Sequence, residues 1–171
     1  MMKPVHLTTL AVAMLLSQGV LAAEGTGCAA FKWPVVKEQA LFADNGIASA
    51  ASGDALAALP DAAIQLTLVD AREVKFPVPP SGKAKDGPTK GAVLNIGSVA
   101  KKGTYQVTLS DEAWVDLIQG GEPVRSTDHS GATGCTGVRK IVRFDLIEGP
   151  LVVEISKASV AGLKLSIRPA E

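Results

Sequence analysis

Residues 104–110 read Thr-Tyr-Gln-Val-Thr-Leu-Ser, polar and apolar in unbroken alternation, and the same period of two returns through most of the chain after Pro60. Successive side chains of a strand point to opposite faces, so Tyr105, Val107 and Leu109 share one face while Thr104, Gln106, Thr108 and Ser110 share the other. Ile64, Leu66 and Leu68 alternate with Gln65, Thr67 and Val69, and Val142, Phe144 and Leu146 with Arg139, Arg143 and Asp145. A Glu-Gly-Pro turn at 148–150 leads into Leu151, Val153 and Ile155, and Leu163, Leu165 and Ile167 close the series. Parallel sheets, covered on both faces, read as continuous apolar runs; apolar-in, polar-out alternation belongs to antiparallel sheets with one solvated face. The pattern predicts a mainly β fold, an antiparallel β-sandwich or jelly roll.

Two stretches break the period. Residues 23–60 form an irregular, alanine-rich lead-in. In it Val36, Leu41 and the 56–59 run ending in Leu59 are compatible with one or two short helices, interrupted by Gly46, Gly53 and Pro60. Residues 76–91 hold four prolines, three glycines and Lys83, Lys85 and Lys90, which forbids a central strand. A mobile, solvated connecting loop is expected there; the other reading is a basic lip that touches an anionic partner.

The first residues bear on compartment. Lys3 precedes an apolar run at 7–16 that falls short of the roughly 20 residues needed to span a bilayer. We read residues 1–22 as a signal peptide cut after Ala22, with 23–171 as a single exported domain in the periplasm or beyond. No second apolar run of spanning length follows, so no membrane span is expected in the mature form. The two cysteines, Cys28 and Cys135, then meet an oxidising compartment and are expected to pair. Lipidation of Cys28 is the competing reading, but Glu24, Gly25, Thr26 and Gly27 separate it from the apolar segment. With 17 basic and 17 acidic residues the chain lacks the basic footprint of nucleic-acid binding.

Chemistry-bearing residues are sparse. His6 lies in the signal segment, which leaves His129 in the stretch Ser126 to Lys140, read here as a glycine-rich loop stapled through Cys135. Ser126, Asp128 and Ser130 beside it supply the residue types of a serine triad, yet no G-x-S-x-G elbow exposes a nucleophile. Asp111, Glu112 and Asp116 read as solvated acids near a turn. Dinucleotide, phosphate-loop and C-x-x-C motifs are missing, so no catalytic residue and no cofactor is assigned. The residues best suited to touch a ligand are His129, the guanidinium groups of Arg139 and Arg143, and the indoles of Trp33 and Trp114. Tyr105 shares a face with Val107 and Leu109 and is expected in the core.

The order Cys28, Phe31, Trp33, Pro34, then "GTYQVTLSDEAWVDLI", then His129, Ser130, Gly131, Cys135 and "GVRK" resembles a group of small exported bacterial proteins of uncharacterised function. Residues 103–118 and the tail to Ile167 also resemble the pre-peptidase C-terminal type of β-sandwich, which implies a fold more than an activity. Proteins of the first group are sometimes labelled homogentisate 1,2-dioxygenase. Iron sites of that class take two histidines and a carboxylate, and His129 alone cannot supply them. The expected function is therefore non-catalytic: binding a partner protein, an envelope polysaccharide or a small anionic ligand. An enzyme without a recognisable motif is the alternative. The purified mature protein is expected to carry no stoichiometric iron or zinc and to keep its melting temperature in a chelator; near-stoichiometric iron by elemental analysis would contradict this.

Overall fold

The alternating runs become strands in the computed structural model, which describes residues 25–171; the signal segment read at 1–22 lies outside the described residues. In chain order the strands are β1 (Gly25–Thr26), β2 (Ala48–Ala50), β3 (Ala55–Leu56), β4 (Ile64–Thr67), β5 (Val69–Asp70) and β6 (Lys90–Val99). They continue as β7 (Gly103–Leu109), β8 (Trp114–Gln119), β9 (Glu122–Val124), β10 (Ser126–Thr133), β11 (Lys140–Leu146), β12 (Gly149–Ala158) and β13 (Gly162–Pro169). One helix, α1 (Val36–Ala43), and a single 3-10 turn at Cys28–Ala30 complete the described elements.

Strands are distributed over two sheets. Sheet 1 runs β1-β10-β11-β7-β13-β4-β2, and sheet 2 runs β3-β6-β12-β8-β9 with β5 also on β6. Their apolar faces meet in one core: Val107 lies opposite Val142 and Ile167 within sheet 1, Val153 opposite Leu94 and Leu117 within sheet 2, and all are buried together. Each such Val, Leu or Ile contributes about 1.5–3 kcal/mol through burial, which makes this stacking the main stabilising term. Tyr105 is buried with them and donates its hydroxyl to the Lys101 carbonyl at 2.8 Å.

The sandwich departs from the expected one in four places. Three pairings, β1–β10, β2–β4 and β3–β6, are parallel. All involve short strands of the lead-in joined through crossovers, so no hairpin imposes the antiparallel sense. The 56–59 run is not helical: Ala55 and Leu56 pair with β6, and Leu59 N–H bonds the Ser98 carbonyl. A run of that length cannot propagate a helix against a free strand edge. A Cβ on Gly97 would stand 2.7 Å from the Ala57 carbonyl oxygen, so the close approach requires glycine there.

Third, most of the 126–140 stretch is strand β10, not loop; only 134–139 remains as connector and carries Cys135. Its polar sequence hid it, because an edge strand needs no apolar alternation when its neighbour supplies the ladder. The 76–91 stretch does stay free of strand up to Lys90, where β6 begins with an apolar run, Ala92, Val93 and Leu94, buried on both faces.

Fourth, the outer face of sheet 1 is not solvated. Phe31, Val35 and Phe42 from the lead-in pack there on Ala132, Val138 and Ile141 as a third layer, and the Cys28–Cys135 disulfide staples it in place. Gln106, Thr108 and Ser166, on the face expected to meet water, are buried beneath it. Glu38 and Phe42, one turn apart on α1, are the helix residues that point down. Glu38 is 0% exposed, and its Oε1 accepts from Arg168 Nε and Nη2, each at 2.8 Å, and from Gln106 Nε2 at 2.9 Å.

An ion pair this buried is costly to break from one side. Arg168→Ala should lower unfolding free energy by about 3 kcal/mol, whereas Glu38→Leu combined with Arg168→Met should come close to wild type. Urea denaturation of the three variants decides it; a full loss in the double variant would show that the pair does more than satisfy itself.

Candidate functional site

The two sheets do not end together. On β10, residues 126–131 pair with β11 on one side, while on the other side only Ala132 and Thr133 are paired, to β1. On β8, only residues 117–119 are covered by β9. His129 lies opposite Val142, and Lys140 keeps the parity of Val142 and Phe144, so all four face inward from sheet 1. Between this margin and the β8–β9 edge of sheet 2 a groove of about 540 Å³ opens. Core side chains Val115, Val142 and Phe144 line it at depth, Pro123 and Val124 form one wall, and Trp114, 36% exposed, stands at the lip.

Trp114 is held firmly. Its indole N–H donates to Ser81 Oγ at 2.9 Å and to Asp116 Oδ1 at 3.1 Å. Gly82, at φ +76°, lies against the ring, where a Cβ would come within 2.7 Å of a ring carbon. The ammonium groups of Lys140 and Lys157 lie 5.1 and 5.2 Å from the ring centroid, a cation–π arrangement. Lys157 is the described non-glycine residue with positive φ, 59°, at the bulge between Ile155 and Ala158, and its Nζ donates to the Ser81 carbonyl. A lysine kept in that region marks a place where the fold tolerates strain, here to bring a cation beside the indole.

The clasp on Trp114 belongs to the proline-rich 76–89 segment, which lies across the outer face of sheet 2. Asp116 accepts the Ser81 N–H at 3.0 Å and the Ser81 hydroxyl at 2.5 Å, and Glu154 Oε1 accepts the Val78 N–H at 3.1 Å. Asp116 and Glu154 are cross-strand neighbours. Glu154 is 1% exposed, and its second carboxyl oxygen has no hydrogen-bond partner among the described residues. Burial, reinforced by the adjacent Asp116 charge, pushes its pKa above the ordinary value, against the opposing pull of the Val78 N–H. Covered by the 76–89 segment, Glu154 does not line the groove; Asp116 does, with its oxygens occupied by Ser81 and Trp114.

The sequence-selected residues separate into groups. Trp114 and His129 line the same groove. Trp33 and Arg143 meet elsewhere, on the outer side of sheet 1, with the guanidinium carbon 3.8 Å from the ring centroid; that guanidinium also bonds Gln106 Oε1 and the Glu171 carbonyl. Arg139 pairs with Glu112 at 2.6 Å. The residue types of a triad are split by strand parity: Ser130 and Asp128 face the lead-in layer, where Ser130 Oγ accepts the Lys32 N–H and Asp128 pairs with Lys32 Nζ at 2.5 Å, while His129 faces inward. Arg125 and Lys140, both lining the groove, were missed by sequence reading. Lys140 was legible in principle, as a cation in phase with Val142, Phe144 and Leu146. Arg125 follows a short strand without periodicity and carried no signal.

Because Glu154 holds its proton more tightly folded than unfolded, its contribution to stability is fully present below its ordinary value of 4.5. That contribution is lost as pH rises through the raised folded value. Glu154→Gln, which keeps an acceptor for Val78, should therefore gain stability relative to wild type as pH climbs through that window and hold the difference above it. Paired urea titrations at pH 4 and 8 test the sign; a variant that is relatively weaker at pH 8 refutes it.

Comparison with protein-family models, curated proteins and solved structures found no match to this chain, so the groove is interpreted from its own geometry.

Proposed function

We propose that this chain is an exported, non-catalytic β-sandwich protein of the periplasm or extracellular space that binds a small ligand in the groove between β8–β9 and β10–β11. One observation carries the reading: the core side chains Val115, Val142 and Phe144, largely buried, form the base of a groove at the sandwich margin beside an indole held by the 76–89 segment. A concave apolar surface with a few placed polar groups is the usual form of a small-molecule site. A partner protein or an envelope polysaccharide would instead favour a flat, extended surface, and the exposed aromatic here lies in a recess. The resemblance to small exported proteins of uncharacterised function fits this reading. Acid–base or nucleophilic chemistry would need groups converging on His129, and its neighbours Asp128 and Ser130 point to the other face.

Thermal-shift screening against sugars, aromatic and aliphatic acids and metal ions, in wild type and in Ser126→Trp, tests the site. Ser126 is exposed at the rim, so the indole should fill the groove without disturbing the core. A ligand at about 100 times its Kd should stabilise wild type by about 2.7 kcal/mol and leave Ser126→Trp unmoved. Stabilisation retained in that variant would place the site elsewhere, and a panel without effect would count against a small-ligand function.

A further inference from the structure

The polar groups on the Trp114 side of the groove are already committed within the fold. Asp116 receives Ser81 and Trp114, Lys140 Nζ sits 3.2 Å from the Ala113 carbonyl and 3.6 Å from Glu112, and Lys157 donates to Ser81. The opposite lip differs. Arg125 lies where the chain passes from β9 in sheet 2 to β10 in sheet 1, and His129 follows on the inward face of β10. Among the described residues neither side chain makes a hydrogen bond or an ion pair; only the His129 backbone N–H is engaged, by Asp128. Both are exposed, and the only acid lining the groove, Asp116, has its oxygens occupied by three donors.

A groove with uncommitted donors at one lip and hydrocarbon at its base selects for charge and shape together. The planar guanidinium fork matches a carboxylate in two parallel hydrogen bonds, and an imidazole N–H adds a third donor. Below that lip, Val115, Val142 and Phe144 offer no hydrogen-bonding group, so sugar hydroxyls placed there would be desolvated without compensation. A dianion such as a phosphate monoester would bring a second charge toward Asp116, and Lys140, the other cation lining the groove, is already held by the Ala113 carbonyl and Glu112. Resting on the reading of the groove as a ligand site, we infer that its ligand is an apolar monocarboxylate. The carboxylate is held by Arg125 and His129, and a ring or short hydrocarbon chain lies over Val115, Val142 and Phe144 beside Trp114.

Calorimetric titration of the mature protein with naphthoate, its neutral isostere naphthamide, and acetate tests the two halves separately, in wild type, Arg125→Gln and Ser126→Trp. Arg125 is exposed and unbonded among the described residues, so its replacement should leave the melting temperature unchanged. Naphthoate is expected to bind wild type at least about tenfold more tightly than either naphthamide or acetate, and to lose about tenfold in Arg125→Gln, which should not affect naphthamide. Equal binding of naphthoate and naphthamide, or indifference of naphthoate to Arg125→Gln, overturns the carboxylate assignment; the groove reading survives if Ser126→Trp still abolishes binding. Failure of all three probes also overturns the assignment. The groove itself falls only if no compound of the broader screen depends on residue 126.

Discussion

Two sheets, each apolar on one side, have to cover one another, and the rest of this molecule follows from how completely they do so. Over β7, β13, β6 and β12 the inner faces meet side chain to side chain, and Leu94, Leu109, Val153 and Leu165 have no measurable exposure. Toward β10 on one sheet and β9 on the other the match fails, since one margin extends where its counterpart is short. The groove is that mismatch. Its floor is the same hydrocarbon that stabilises the centre: Val115, Val142 and Phe144 line it at depth while staying largely buried.

A second covering problem is solved on the outside of sheet 1. There the lead-in folds over a face whose sequence is polar, so Gln106, Thr108 and Ser166 lose their water. Burial of polar groups is tolerable when they find partners, and Glu38 joins α1 to β7 and β13 through Gln106 and Arg168. Thr108 Oγ1 and Ser166 Oγ lack partners among the described residues, so the layer is held partly at polar expense and the covalent tie from Cys28 to Cys135 matters accordingly. On the outside of sheet 2 the 76–89 segment serves a related purpose with fewer apolar contacts, anchoring through main-chain N–H groups to Asp116 and Glu154.

Legibility in the sequence tracked how strongly one face was apolar. Val107, Phe144, Val153 and Leu165 announced their strands and their inward side because water lay, or was expected to lie, opposite them. Strand β10 was illegible because Ser126, Thr127 and Asp128 belong to a margin where neither face is reliably buried. Strand β6 was obscured for the opposite reason, being covered on both sides through Ala92, Val93 and Leu94. The Cys28–Cys135 pairing could be read from the cysteine count and the expected compartment. For the groove, Trp114 and His129 were recognisable as residue types, but their meeting depends on sheet 2 ending early, a tertiary fact with no local trace. Arg125 is invisible for the same reason, while Lys140 was readable from its phase.

The place of β13 in sheet 1 decides whether that sheet holds together. It is the last strand in chain order, yet it lies between β7 and β4 and is the only described link joining β4 and β2 to the remainder of that sheet. Until residues 162–169 dock, β4 and β2 have no hydrogen-bonded link to β7, β11 and β10, and Ile64 and Leu66 lack their cross-strand partners Leu165 and Leu163. Closing sheet 1 therefore depends on two long-range pairings made by one strand, and loosening β13 alone would divide the sheet, with β4 and β2 on one side and β7, β11 and β10 on the other.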